Sequence, residues 1–279
     1  MKPRLTSAAC PLTREIEILD ASGALRAIHI PDERPLTVFV DKRELVTLMT
    51  LGQAPELLVV GYLLNQRLVA DVREIESVTV DWSVDAAAVR TRGGIVDLEA
   101  KTARRVVTTG CGQGTVFGDI LSELSALRLP DARSARIGQD ALFAILEVMR
   151  LQPCVHKQAG SVHGTALWRA DDMLMFVEDV GRHNAVDTIA GWMAMNDLQG
   201  GDMVLYTTGR LTSEMVLKAA RIGVPILISR NGVTAMALDL AQRLGMTLVG
   251  RAVNRRYLCY TGAERLDLDS ERQAVVSAV

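Results

Sequence analysis

The sequence predicts an α/β protein with two differently organised parts. Before residue 110, short runs of alternating apolar residues predict mostly strands with one clear helix, which is an α+β arrangement. After Gly138, predicted helices and strands alternate regularly, which is typical of a three-layer α/β/α domain with an at least partly parallel sheet. A chain of 279 residues is long enough for two modest domains. We expect domains over 14–110 and 111–279, preceded by a flexible tail over 1–13.

The predicted first domain begins with a β-hairpin. Ile16 and Ile18 alternate with acids before a turn over 20–23, and a second alternating run follows over 25–30. A helix is predicted to begin near Pro55, because proline is favoured in the first turn of a helix. Further strands are predicted over 36–40, 45–49, 75–82, 86–91 and 104–108.

The predicted second domain alternates its elements after Gly138. Helices are predicted over 139–151, 212–222 and 234–244, and another follows a polar motif that begins at Glu178. Strands are predicted over 165–168, 173–177, 203–207, 225–229, 246–250 and 256–260. In sheets of this kind, ligands bind beyond the carboxyl ends of the strands.

The composition indicates a soluble globular protein. Apolar residues make up 49% of the chain and charged residues 23%, which is not the balance of a disordered protein. Acidic residues exceed basic residues by only two and aromatic residues make up 4%, so we expect no nucleic-acid partner. No apolar run reaches the roughly 18 residues that a membrane helix needs, and no secretory signal is evident at the start. We expect a cytoplasmic protein without a membrane partner.

Four cysteines lack the paired spacing of a zinc knuckle or a disulfide framework: Cys10, Cys111, Cys154 and Cys259. Cys111 is distinct because Gly110, Gly112 and Gly114 surround it. Backbone N–H groups near an uncovered thiol favour the thiolate, which is the nucleophilic form. The alternative is a tight glycine turn in which the cysteine is incidental. The glycine spacing is not that of a dinucleotide-binding loop.

A polar turn joins a predicted strand to a predicted helix. Its sequence is Glu178-Asp179-Val180-Gly181-Arg182-His183-Asn184-Ala185-Val186-Asp187. Gly181 permits unusual backbone angles, Asn184 is suited to cap the helix, and His183 beside two carboxylates could be tuned for proton transfer. The alternative is a polar cluster that only ties the strand to the helix.

Arg210 lies in the turn that separates a predicted strand from the next predicted helix. A helix N-terminus attracts anions, and a guanidinium group adds donors that suit phosphate. The alternative is ordinary helix capping by Thr212 or Ser213.

A metal site is not expected. The segment Pro153-Cys154-Val155-His156 begins like the zinc deaminase motif, but its second cysteine is missing. No histidine is followed two residues later by glutamate, which that motif also requires.

These motifs resemble those of the formate dehydrogenase accessory sulfurtransferases, the FdhD/NarQ-like sulfur carriers. The ten-residue turn at Glu178 resembles the signature of that family. The stretch Gly160-Ser161-Val162-His163-Gly164-Thr165-Ala166-Leu167 resembles a second family motif, with Thr165 in place of an alanine. Segments 209–220 and 223–227 match as well, and the resemblance extends from about residue 14 to residue 262.

The resemblance implies a sulfur carrier. Cys111 would accept sulfane sulfur from a cysteine desulfurase as a persulfide. The sulfur would then pass to the molybdenum bis(molybdopterin guanine dinucleotide) cofactor, or its tungsten counterpart, before insertion into formate dehydrogenase or a related oxidoreductase. The resemblance also implies a homodimer and a second domain similar in fold to cytidine deaminases, without their zinc site.

The resemblance also assigns the expected site residues. The family's Cys-Gly-x-Cys loop falls on Cys111-Gly112-Gln113-Gly114, so Gly114 replaces the second cysteine. The family's cofactor-binding segment matches Tyr257-Leu258-Cys259-Tyr260-Thr261-Gly262. With Arg210, this segment is the expected binding set for the cofactor, and GDP is the expected mimic. The alternative function is a non-catalytic chaperone that binds and delivers the guanine-dinucleotide cofactor.

Overall fold

The computed structural model describes residues 1–95 and 127–268, which divide into two compact units. Of the described residues, the first unit contains 1–95, 153–165 and 177–198. The second unit contains 127–152, 166–176 and 199–268. The expected domain over 111–279 is therefore not one contiguous block, because two of its segments belong to the first unit. The expected boundary after residue 110 lies outside the described residues.

Strands and helices occur throughout the described residues. The strands are β1 (Arg4–Leu5), β2 (Thr13–Leu19), β3 (Leu25–Pro31), β4 (Arg34–Val40), β5 (Arg43–Thr50), β6 (Ile75–Asp81), β7 (Ala86–Thr91), β8 (Ile137–Gly138), β9 (His163–Arg169), β10 (Asp172–Asp179), β11 (Met203–Thr207), β12 (Ile226–Ser229), β13 (Thr247–Val253), β14 (Arg256–Thr261) and β15 (Leu266–Asp267). The helices are α1 (Pro55–Asn65), α2 (Gln139–Leu151), α3 (Val155–Ala159), α4 (Arg182–Met195), α5 (Ser213–Arg221) and α6 (Ala235–Leu244).

The first unit contains a five-stranded mixed sheet in the order β1-β6-β7-β4-β5. Its β4/β5 and β6/β7 pairs are antiparallel, whereas β1/β6 and β4/β7 are parallel. The strands β2 and β3 form a separate antiparallel hairpin in which Thr13 pairs with Pro31 and Leu19 with Leu25. The predicted hairpin is therefore confirmed. The predicted strand over 104–108 lies outside the described residues.

The expectation of a flexible tail over 1–13 is wrong for its first half. Strand β1 pairs with β6, and Pro3 is buried. The hydroxyl of Thr6 and the backbone N–H of Ala8 both donate to Glu56 Oε1, at 2.7 and 2.8 Å. These partners lie about fifty residues further along the chain. The composition of residues 1–13 alone could not predict these contacts.

Helices α1 and α4 of the first unit approach each other at the level of their backbones. A Cβ atom added to Gly61 would lie 1.7 Å from the carbonyl oxygen of Asp187, and one added to Gly191 would lie 2.0 Å from that of Leu57. The Asn65 side chain donates to Asp187 Oδ1 at 2.7 Å beside this contact. Glycine is thus required at both crossing points, which places the α4 segment in the first unit.

The second unit is organised on a six-stranded sheet in the order β10-β9-β11-β12-β13-β14. Strands β11, β12 and β13 are parallel, and β14 runs antiparallel to β13. Their helices therefore connect parallel neighbours, as the alternating sequence pattern predicts. The short strands β8 and β15, which were not predicted, pair with each other in a separate small sheet.

The inner strands of this sheet are buried on both faces. On one face, apolar residues of α2 such as Leu142 and Ile145 belong to the same core as Val204, Ile226 and Val249. The intervening strand residues, which face the other way, are also buried: Met203, Leu205, Leu227 and Leu248. The predicted mixed α/β architecture is confirmed. No helix within 1–95 or 127–268 is long and apolar enough to cross a membrane.

A buried arginine fixes the segment that precedes α2. Arg265 is 2% exposed, and its guanidinium donates to backbone carbonyl oxygens of four described residues. The acceptors belong to Pro130, Asp131, Ala135 and Gly245, at 2.6 to 3.3 Å. Burial lowers the pKa of Arg265 from its ordinary value. The residues that lead into β8 and α2 are therefore held by one side chain from the chain's last described turn.

Candidate functional site

The polar turn at Glu178 lies in the first unit, at the end of β10 and the start of α4. The expectation that Asn184 caps the helix is wrong, because α4 begins at Arg182 and Gly181 is its N-cap residue. Asn184 instead lies inside the first turn of α4. Its side-chain amide donates to Asp179 Oδ1 at 3.0 Å and to the carbonyl oxygen of Met49 at 2.8 Å. The side chain therefore links the helix start to β5.

Asp179 is the centre of this turn. It is 1% exposed, and its carboxylate accepts hydrogen bonds from Thr50 Oγ1 at 2.5 Å and from the backbone N–H groups of Leu51 and Gly181 at 3.2 and 2.9 Å. Burial raises the pKa of Asp179, against the effect of these donors and of Asn184, which lower it. A carboxylate with this many partners mainly fastens the turn to β5.

Glu178 fastens the turn to α3 in a similar way. The side chain is 3% exposed, and it accepts from the backbone N–H groups of Val155 and His156 at 2.5 and 2.9 Å. Its own backbone N–H donates to Gln53 Oε1 at 2.9 Å. His183 is also buried, within the first turn of α4. The contacts of Glu178 and Asp179 favour a structural role for the two carboxylates over proton transfer.

The described cysteines are poorly suited to nucleophilic chemistry. Burial raises the thiol pKa of Cys10, Cys154 and Cys259 above its ordinary value. Cys154 is the N-cap residue of α3, where a thiolate would ordinarily be favoured. The Glu178 carboxylate already occupies that helix start and further raises the pKa of Cys154. Cys111, with its glycine loop, lies outside the described residues.

Arg210 lies at the carboxyl edge of the parallel strands in the second unit. It is exposed, in the turn between β11 and α5. Thr212 precedes α5 as its N-cap residue but makes no capping hydrogen bond, and its Oγ1 atom is buried without a hydrogen-bond partner among the described residues. By contrast, Thr234 caps α6 through the N–H of Ala237. The start of α5 therefore keeps the donors that an anion would use.

Two further arginines lie at the same edge. Arg230 directly follows β12, and Arg251 lies at a register shift near the end of β13, with φ 50°. The N–H of Arg251 donates to the carbonyl oxygen of Asn231 at 2.8 Å, which holds these two turns side by side. We call Arg210, Arg230 and Arg251 the arginine edge. All three are exposed, and none forms an ion pair with a carboxylate in residues 1–95 or 127–268.

The sequence alone did not single out Arg230 and Arg251. The available signal was the repeated pattern of a predicted strand followed by a polar turn with arginine, as in Ser229-Arg230-Asn231-Gly232. The register of β12 on β13, in which Ile228 pairs with Val249, brings residues 230 and 251 close together. A residue's place in a sheet depends on strand order, which the sequence pattern did not give.

The segment Tyr257–Gly262 does not form one compact site with Arg210. Because β14 runs antiparallel to β13, Arg256 lies opposite Val253 at the carboxyl edge, whereas Thr261 lies opposite Leu248 near the other edge. Tyr257 and Leu258 are therefore the members nearest the arginine edge. Cys259 donates its thiol to the carbonyl oxygen of Thr261 at 3.4 Å, and Gly262 accepts from Thr247 Oγ1 at 2.8 Å. These last residues secure the strand.

Tyr257 and Tyr260 occupy different surroundings. The hydroxyl of Tyr257 accepts from Gln139 Nε2 at 3.1 Å, and its ring lies 6.0 Å from that of Phe143 between centroids. A Cβ atom added to Gly250 would lie 2.9 Å from the Tyr260 ring and 3.0 Å from the carbonyl oxygen of Asn231. Gly250 therefore lets the turn after β12 approach β13 and Tyr260 closely. Within the described ranges, no three His, Cys, Asp or Glu side chains form a group that could hold a metal ion.

Comparison with known proteins gives consistent matches along nearly the whole chain. The model of the FdhD/NarQ family matches residues 31–267. The sulfur carrier protein FdhD of Halalkalibacterium halodurans is 30% identical over 252 residues, which cover 90% of this chain and 93% of the relative. The protein of the same name from Bacillus subtilis is 31% identical over 237 residues, covering 84% and 88%.

A solved structure is also similar. The crystal structure described as that of a formate dehydrogenase accessory protein from Desulfotalea psychrophila matches with a TM-score of 0.72. The identity is 26%, and the match covers 92% of this chain and 100% of that chain.

Proposed function

Because this chain belongs to the FdhD/NarQ family, we propose that it is a sulfur carrier protein in the maturation of formate dehydrogenase. The relatives named as sulfur carriers match over most of their length, so the resemblance is not confined to one motif. Its client is a formate dehydrogenase or a related molybdenum or tungsten oxidoreductase. It works in the cytoplasm as a homodimer.

Cys111 carries the sulfur in this proposal. Its thiolate attacks the outer sulfur atom of the persulfide on a cysteine desulfurase. A new S–S bond forms at Cys111, and the cysteine of the desulfurase leaves as a thiolate. The persulfide is then the donor to the substrate, which is the molybdenum bis(molybdopterin guanine dinucleotide) cofactor. The protein thereby acts as a sulfurtransferase.

The observation that carries this assignment is the set of glycines around Cys111, and the surroundings of the other three cysteines agree with it. Burial raises the pKa of Cys10, Cys154 and Cys259, and a protonated thiol is a poor nucleophile. The glycine neighbours of Cys111 predict the opposite environment, with backbone N–H groups that favour a thiolate. Support for Cys111 as the sulfur carrier therefore comes from its neighbouring glycines and from the surroundings of the other three cysteines.

The arginine edge is the proposed binding site for the phosphates of the cofactor. Arg210, Arg230 and Arg251 are exposed cations without carboxylate partners in the described chain. The start of α5 adds backbone donors that Thr212 does not cap. A dinucleotide pyrophosphate carries negative oxygens that such a set of donors binds well. GDP, which has a pyrophosphate and a guanine base, is the proposed mimic.

Tyr257 and Leu258 extend this site along β14. Their strand begins at the carboxyl edge, so both lie within reach of a ligand held there. The remaining segment residues, Cys259 to Gly262, support the site through the strand that they form. We further propose that the second unit has a cytidine deaminase-like fold, which the burial of the parallel strands β11, β12 and β13 on both faces supports.

The rival function is a chaperone that binds and delivers the cofactor without carrying sulfur. The arginine edge would serve both functions, so ligand binding does not separate them. A reconstituted assay does: apo-formate dehydrogenase is mixed with the sulfur-free cofactor, cysteine desulfurase, cysteine and this protein. The sulfur-carrier proposal predicts client activity with wild-type protein and none with Cys111→Ser. Full activity with the folded variant would favour the chaperone.

A further inference from the structure

A cavity of about 480 Å³, widely open to solvent, lies in the first unit between the amino-terminal segment and the start of α1. Its wall is mainly apolar and includes Leu5, Ala8, Leu12 and Leu57, with the thiol-bearing residue Cys10 and the carboxylate-bearing residue Glu56. The volume falls within the range of small-molecule sites, which is about 300–1,000 Å³. The segment expected to be a flexible tail thus forms one side of the cavity.

Glu56 is the charged group of this wall. It is only 5% exposed, and two donors hold its Oε1 atom, the hydroxyl of Thr6 at 2.7 Å and the backbone N–H of Ala8 at 2.8 Å. No described residue donates a hydrogen bond to Oε2, and no described cation lies within ion-pair distance of the carboxylate. Oε2 is not among the buried atoms that lack a partner, so it keeps contact with open space.

A buried carboxylate of this kind is normally paired with a cation. The start of α1 offsets part of the charge, because helix N-termini favour negative groups. The start of α1 does not, however, donate a hydrogen bond to Glu56 Oε2. The free oxygen and the apolar wall together suit a ligand with a positive head and an apolar body.

We propose that this cavity binds a small organic ammonium ion, with the ammonium group on Glu56 Oε2 and an aliphatic body against Leu5, Leu12 and Leu57. The ammonium group donates to Oε2 while Thr6 and Ala8 continue to hold Oε1. Cys10 is a neutral part of the wall, because its thiol donates weakly towards the carbonyl oxygens of Leu51 and Gly52. None of the cavity residues belongs to the arginine edge.

The probe is n-hexylamine, compared with n-hexanol and n-hexanoate, which keep the aliphatic body but not the positive charge. Isothermal titration on the full chain is expected to detect n-hexylamine and to show much weaker binding of the other two. Glu56→Gln retains an acceptor for Thr6 and Ala8 but loses the charge. Hexylamine affinity should therefore fall at least about tenfold in this variant, the usual size of a hydrogen bond to a charged group. Equal affinity of wild type and variant would overturn the proposal.

A second measurement uses only the wild-type protein, in case Glu56→Gln does not fold. Because Cys10 lines the cavity, bound hexylamine should slow its alkylation, read by peptide mass spectrometry. Cys259 lies in the second unit and serves as the internal control. Slowing at Cys10 alone, with hexylamine but not with hexanol or hexanoate, is the expected result. No slowing, or equal slowing by all three compounds, would show that the cavity does not select an ammonium ion.

Discussion

The hydroxyl of Ser229 donates a hydrogen bond of 2.5 Å to the carbonyl oxygen of Gly209, which joins the turn after β12 to the turn after β11. The same hydroxyl accepts from the backbone N–H of Asn231 at 2.9 Å. Ser229 is fully buried, and its bond to Gly209 is shielded from water. Ser229 is thus one of the links that fix the turn that carries Arg210 against the turn that carries Arg230. The Asn231 side-chain amide adds another, because it donates to the carbonyl oxygen of Thr208 at 2.6 Å. The arginine edge is therefore preorganised for an anion.

Ser229→Ala should loosen this edge. The change leaves a buried carbonyl oxygen and a backbone N–H without their partner, which costs about 1–3 kcal/mol of folding free energy. Affinity for GDP should fall as well, because the two arginine turns lose one of the hydrogen bonds that hold them together. Thermal melts and GDP titrations of the same preparation check both effects. Ser83→Ala, in an exposed turn of the first unit, is the control and should change neither.

The arginine edge itself can be tested by removing one charge at a time. Arg210→Gln, Arg230→Gln and Arg251→Gln should each weaken GDP about tenfold, since a hydrogen bond to a charged group contributes about 1.5–3 kcal/mol. Arg243→Gln is the matched control, because Arg243 is an exposed arginine in the last turn of α6, at the opposite edge. Higher salt should also weaken binding to the wild type.

Two results would contradict the proposed GDP site. If the Arg243 variant loses as much GDP affinity as the other three, the effect is one of overall charge and not of a site. If ADP binds as tightly as GDP, the protein recognises the phosphates without selecting guanine.

Thr50 provides the test of the turn at Asp179. Thr50→Val removes the hydroxyl that donates to the buried carboxylate, and we expect a loss of about 1–3 kcal/mol in the free energy of unfolding. Thr47→Val is the control on the same strand, at an exposed position, and should stay within about 0.5 kcal/mol of wild type. Denaturant unfolding measures both. Similar values for the two variants would mean that Asp179 does not fasten the turn.

The described thiols should alkylate slowly. Alkylation requires the thiolate, and burial raises the pKa of Cys10, Cys154 and Cys259 above the ordinary value of 9.0. Their rates with iodoacetamide should therefore stay below that of free cysteine at neutral pH, rise with pH, and level off only above pH 9.0. Peptide mass spectrometry at a series of pH values gives each rate. A rate at neutral pH equal to that of free cysteine would contradict the prediction for that residue.

Much of the fold was accessible from sequence because its elements have strong local patterns. The hairpin around Gly23, the helix that begins at Pro55 and the alternation after Gly138 all depend on apolar periodicity and turn residues, which act over short distances. The assignment of 182–195 to the first unit was not accessible. It depends on the contact between Gly61 and Gly191, which lie far apart in the chain.

The candidate site was predictable to a similar extent. Arg210 was found because its turn and helix start are local features, and the alternative interpretation, capping by Thr212, is not observed. Arg230 and Arg251 lie at the same sheet edge as Arg210 because of the order and register of their strands. The segment Tyr257–Gly262 was treated as one unit in the sequence, but an antiparallel strand separates its ends. Asn184 was a plausible cap by residue type, yet Asp179 and Met49 are its partners.

The most direct test of the sulfur-carrier proposal is the location of the transferred sulfur. The protein is incubated with a cysteine desulfurase and cysteine, and its peptides are analysed by mass spectrometry without reductant. One added sulfur atom on Cys111 is predicted, because Gly114 leaves no second cysteine in the loop to release the persulfide as a disulfide. Cys154→Ser and Cys259→Ser should load normally, and Cys111→Ser should fold but carry no sulfur. Sulfur found on Cys154 or Cys259, or undiminished loading of the Cys111→Ser variant, would contradict the account.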